Sequence, residues 1–134
     1  MWRAASALAA CTLAFSALAQ PAPCAAERGS LRAQGGGYTV LFRASPEPAV
    51  GRHFALVFSV CGSDGAVSAQ SVSVDARMPS HGHGMNYRPT ITAIGAGRYR
   101  AEGLMFHMPG EWELTFVVQA AGGPERITHT LVLR

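Results

Sequence analysis

Apolar and polar residues alternate with a period of two along much of this chain. Phe54, Leu56, Phe58 and Val60 share one face of an extended segment, Val72, Val74 and Ala76 share a face of the next, and Trp112, Leu114, Phe116 and Val118 make the largest apolar face. That period marks strands with one side buried. With the shorter apolar runs it predicts strands over 38–43, 53–60, 68–77, 89–94, 98–106, 111–119 and 126–133. The connectors, among them Ser45-Pro46-Glu47-Pro48, Ser63-Asp64-Gly65, Gly95-Ala96-Gly97 and Gly122-Gly123-Pro124, have the residue types that turns require. Seven short strands in about 95 residues, with no helical period beside them, predict an all-β, seven-stranded β-sandwich.

The N-terminus follows a different pattern. Arg3 precedes an apolar run over residues 4–18 that ends in Ala17-Leu18-Ala19 before Gln20, the layout of a secretory signal peptide over residues 1–19. Leu8-Ala9-Ala10-Cys11 offers an alternative, lipoprotein cleavage box, but the residues before Cys11 are too few for a charged region plus an apolar core. No later stretch approaches the roughly 18 apolar residues of a membrane span, so the mature chain is expected in the periplasm or secreted, without a span. Residues 20–37, rich in Pro, Ala and Gly, are expected to form a flexible N-terminal arm ahead of a domain over 38–134. Export makes a disulfide between Cys24 and Cys61 the default. The competing reading makes Cys61 a copper thiolate, although it lies far in sequence from the other soft ligands.

Charge narrows the function only by exclusion. The 11 basic residues are all arginine, set against 8 acidic ones, with no basic run of the kind nucleic acid requires. The chemistry is concentrated instead in Met78-Pro79-Ser80-His81-Gly82-His83-Gly84-Met85 and Met105-Phe106-His107-Met108-Pro109, which hold three of the 5 histidines and four of the 5 methionines. Imidazole with thioether suits copper. Methionine selects Cu(I), imidazole accepts either oxidation state, and thioethers are poor zinc ligands.

In an extended backbone His81, His83 and Met85 share a face, and Gly82 and Gly84 between them allow tight bending. If residues 89–106 form a hairpin about Ala96, Met85 falls opposite His107, roughly 5 Å away at Cβ. The expected ligands are therefore His81, His83, Met85, His107 and Met108. Met78 and Met105, at the ends of apolar runs, serve equally as core filler. His129 shares a face with Ile127, Leu131 and Leu133 and reads as a core or edge histidine, while His53 has no evident partner and Trp112 reads as packing. Ser80 and His81 point to opposite faces of a strand, with no Asp placed to orient the imidazole, so no hydrolytic triad is expected.

Asp75-Ala76-Arg77-Met78-Pro79-Ser80-His81, Gly97-Arg98-Tyr99 and Met108-Pro109-Gly110-Glu111-Trp112-Glu113-Leu114 together resemble the YtkA-like family, which is akin to FixH-type proteins. The resemblance covers about residues 38–134. It implies an immunoglobulin-like sandwich in an exported or membrane-attached protein, often associated with metal handling or oxidase assembly. The ligand palette also looks like that of periplasmic copper chaperones of the PCuAC and CopC types, but the spacing differs and no ligand set carries over. The resulting expectation is a periplasmic copper carrier, buffer or metallochaperone, not an enzyme, that serves an envelope protein. Its alternative is an immunoglobulin-like interaction module without a metal, and a copper redox enzyme is a third reading for which no substrate-side residue can be named.

Overall fold

A computed structural model describes residues 24–67 and 71–134, all of it strand, turn and loop. The strands are β1 (Leu31–Gly35), β2 (Tyr38–Ser45), β3 (His53–Gly62), β4 (Gly65–Ala66), β5 (Ser71–Met78), β6 (His83–Gly84), β7 (Thr90–Gly95), β8 (Arg98–Met105), β9 (Gly110–Ala120) and β10 (Gly123–Leu133). They form a β-sandwich. One antiparallel sheet runs β1-β2-β3-β8-β7, with β4 paired to the end of β3, and the other runs β10-β9-β5-β6.

Each of the seven expected strands is present, but among the described residues the total is ten. Two of the additions, β4 and β6, are two-residue ladders, too short to show a period. The third, β1, pairs with β2 from Leu31↔Phe42 to Gly35↔Tyr38, inside the segment expected to be a flexible arm. Its sequence, Leu-Arg-Ala-Gln-Gly, buries only Ala33, so it shows too little alternation to read as a strand. Residues ahead of β1 are tied down as well: Cys24 and Cys61 form a disulfide with Cα atoms 5.9 Å apart. Glu27 also meets Arg98 at 3.0 Å. The structured domain thus begins well before Tyr38. The signal peptide expected over residues 1–19 and the start of the arm lie outside the described residues, as do residues 68–70 of the third expected strand. No helix among the described residues is long and apolar enough to cross a membrane.

The period of two places the core between the sheets. Trp112, Leu114, Phe116 and Val118 of β9 are fully buried, as are Leu56 and Val60 of β3, with Phe58 nearly so. Phe116 lies 5.2 Å from Phe42 and 5.1 Å from Phe58 between ring centroids, so the two sheets are joined by aromatic contacts at their centre. Met78, the last residue of β5, is also fully buried and belongs to this core. His129 stands edge-on to Phe42 at 5.0 Å, a packed histidine at the border of the core.

Away from its tip the β7–β8 hairpin follows the expected register, with Thr90↔Glu102, Ile91↔Ala101 and Ala93↔Tyr99 each equidistant from Ala96, whereas at the tip the register shifts by one and Gly95 pairs with Arg98. It does not extend to Met85 and His107. Pro89 supplies no donor, the ladder stops at Thr90, and the preceding chain crosses to the other sheet. There His83 and Gly84 pair with Met78 and Arg77, and the Met85 N–H donates to the Ala76 carbonyl at 3.0 Å. The direct Met85–His107 opposition is therefore replaced by a meeting across the end of the sandwich.

Candidate metal centre

The first ligand segment is a tight return at the end of β5. Both the His81 and the Gly82 N–H donate to the Met78 carbonyl, at 3.2 and 3.0 Å, and Gly82 takes φ +68°, where a side chain is strained. The chain then re-enters the sheet with His83 opposite Met78. Opposed residues of an antiparallel pair share a face. Because Met78 points into the core, His83 does too, and it is half-buried while His81, out in the turn, is exposed.

The second segment turns the corner from β8 into β9. Phe106 is anchored in the core with no exposed surface, and its carbonyl accepts from the Gly51 N–H at 2.8 Å. On the far side of the corner the Trp112 indole N–H donates to the Met108 carbonyl at 3.0 Å. The corner is thus held from both sheets, and His107 and Met108 are carried half-buried between these two anchors.

The two segments bring three imidazoles into a row. Ring centroids are 5.8 Å apart between His81 and His83 and 5.2 Å between His83 and His107. Trp112 closes the inner end. It lies edge-on to His107 at 5.4 Å and to His83 at 6.4 Å, and Phe106 stacks on it at 4.7 Å. The Nδ1 atoms of His83 and His107 are buried and have no hydrogen-bond partner among the described residues. A buried polar nitrogen left unsatisfied typically costs about 1–3 kcal/mol, and here two of them occur in adjacent rings.

Of the remaining expected ligands, Met85 and Met108 are half-buried against the core. Met105 lies elsewhere: it is opposite His53 in the β3–β8 ladder, and His53 packs edge-on against Tyr87 at 5.1 Å, which supplies the partner that its sequence context did not reveal. No group of three or more His, Cys, Asp or Glu placed to hold a metal occurs among the described residues. Cys61 is committed to its disulfide, which corrects the thiolate reading. Trp112 was legible in sequence only as packing; its place four residues after Met108 was the one signal that it also braces the corner.

The YtkA-like family model matches residues 32–117. The chain belongs to the YtkA-like family. The match runs from β1 through most of β9, so it contains both His/Met segments of this YtkA-like domain, and it starts within the segment that periodicity alone left out of the fold. Among solved structures, the chain is similar to a DUF4426 family protein from Pseudomonas aeruginosa PAO1, with TM-score 0.52 and 15% identity over 78% of this chain and 94% of that one, a likeness of fold alone. No protein of curated function matches the sequence.

Proposed function

We propose that this YtkA-like protein binds copper at the end of its sandwich and acts in the periplasm, or outside the cell, as a carrier, buffer or metallochaperone for an envelope protein. The observation that carries this reading is the pair of buried, unpartnered Nδ1 atoms on His83 and His107, in rings whose centroids are 5.2 Å apart. Two imidazole rings whose centroids are this close have room to serve one ion at bond lengths near 2 Å. Binding would satisfy groups that the protein otherwise leaves without partners.

The donor set favours copper over zinc. With no third His, Cys, Asp or Glu grouped with a pair among the described residues, completion of the coordination falls to thioethers. Met85, two residues from His83, and Met108, next to His107, are the candidates, both partly buried against the core. Thioether with imidazole suits Cu(I). Copper is here the cargo, and no chemical transformation is assigned to the site.

Titration of the full chain with Cu(I) and Cu(II) against competing chelators tests the reading. The expected outcome is a Kd tighter than about 1 µM for at least one oxidation state. The double variant His83→Ala/His107→Ala is expected to weaken binding about 100-fold or more. Affinity no better than micromolar in both states, or affinity unchanged in the double variant, defeats it. Capture of a protein partner that depends on the 79–84 turn but is indifferent to copper chelators would support the metal-free interaction module instead.

A further inference from the structure

The three imidazoles differ in a way that suggests a direction of travel. His83 and His107 are half-buried with their Nδ1 atoms already out of water, whereas His81 is exposed yet only 5.8 Å from His83 between centroids. Its backbone is fixed, because the His81 and Gly82 N–H groups share the Met78 carbonyl, but among the described residues no hydrogen bond or ion pair holds its side chain. We propose that His81 is the transfer ligand: copper enters and leaves this site through it, by exchange with a partner protein that presents neutral imidazole or thioether donors. The inference rests on the copper reading above.

Affinity and exchange separate on physical grounds. An exposed side chain must be ordered before it can ligate, and that loss of rotamer freedom offsets much of what its bond would add. The inner rings are held by the corner and the return, so they contribute to affinity without a comparable ordering cost. For exchange the ranking reverses. An incoming donor does not reach the inner Nδ1 atoms, which are out of water, but it can meet an ion that has moved out to His81, which is exposed. On moving out, copper exchanges a bond to His83 or His107 for one to His81, and in the transfer step a bond from copper to the partner's nitrogen or sulfur forms as the bond to His81 breaks. The oxidation state does not change, and no proton is transferred because all donors are neutral.

The surface around His81 suits such an encounter. Pro79, Ser80, His81 and Gly82 are all exposed and formally uncharged, with histidine taken as neutral. The nearest charge in the strand, Arg77, is paired with Glu113 at 2.9 Å. A partner therefore meets soft donors first and little net charge.

The test compares wild type, His81→Ala and His81→Met as full chains loaded with Cu(I), with bicinchoninate as acceptor because its aromatic nitrogens are neutral donors. His81→Ala is expected to keep its equilibrium affinity within about threefold while its second-order transfer rate falls about tenfold or more. His81→Met, which restores a soft exposed donor, recovers most of the rate. Transfer at the wild-type rate in His81→Ala overturns the inference. So does a loss of affinity of about 30-fold or more in that variant, which would make His81 a resident ligand while leaving the copper reading intact. Failure of the wild type to bind copper at all refutes the copper reading itself, and this inference with it.

Discussion

Gly110 offers a sharp test of how the corner that carries His107 and Met108 is built. It has φ +125°, and a Cβ added there would lie 2.8 Å from the Met78 Cε. The Gly110→Ala variant therefore meets two costs. Holding an L-residue in a glycine-favoured backbone region costs about 1–3 kcal/mol, and forcing a methyl against a fully buried thioether costs roughly 1–3 kcal/mol more. Reduced freedom of the unfolded chain returns about 0.4–1 kcal/mol, for a net loss of about 1–5.6 kcal/mol. For a domain of this size that is a fall in Tm of about 4–22 °C. Two further glycines separate the contributions. Gly103 has φ +88° with nothing within 4 Å of its added Cβ, so Gly103→Ala reads the backbone part alone. Gly122 has neither strain nor a neighbour within 4 Å, and Gly122→Ala is expected to stay within about 0.5 kcal/mol of wild type. Met78→Ala alone costs about 2–5 kcal/mol. Combined with Gly110→Ala it should cost less than the sum by about 1–2 kcal/mol, because the thioether that clashes is gone. Urea unfolding followed by circular dichroism measures all of these. Strict additivity of the pair within about 0.3 kcal/mol, or a Gly110→Ala cost equal to that of Gly103→Ala, refutes the packing of Met78 beneath the corner.

Three further outcomes follow from the same geometry. If His83 and His107 keep unpartnered buried nitrogens for the sake of a ligand, His83→Leu and His107→Leu will leave the metal-free protein as stable as wild type, or raise its stability by up to about 1 kcal/mol; a loss above about 2 kcal/mol in calorimetry would make them structural instead. The Trp112 indole lies 5.4 Å from His107, so in a Trp2→Phe chain its fluorescence is expected to fall on copper addition and recover on chelation, and emission that ignores bound copper would place the ion elsewhere. The disulfide closes a loop with a sequence separation of 37, for which chain entropy gives about 4 kcal/mol of stabilisation. It sits at the opposite end of β3 from His53, roughly 26 Å away at strand rise, so Cys24→Ala/Cys61→Ala should lower the urea midpoint without changing copper affinity. A changed affinity would mean that the two ends of the sandwich are coupled.

How much of this was legible before the fold is clearest residue by residue. Phe54 to Val60 and Trp112 to Val118 announce their buried faces because side chains alternate strictly along a strand. The register of β7 with β8 followed from the glycines at its tip. β1 was missed because one buried alanine makes no pattern, and its pairing with β2 depends on the backbone rather than on side chains. The soft donors were visible as residue types, and Met78 already leaned toward the core by its place at a strand end.

The sequence by itself determined a two-layer strand architecture and the clustering of imidazole and thioether in two segments, since composition and a period of two are local properties. Only the tertiary structure decided that the segments meet through β5 and the β8–β9 corner instead of along a hairpin. His83 faces inward because its backbone pairs with Met78, and His107 faces it because Phe106 and Trp112 pin the corner. Which edge an extended segment joins depends on hydrogen-bonding partners distant in the chain, and periodicity carries no record of them.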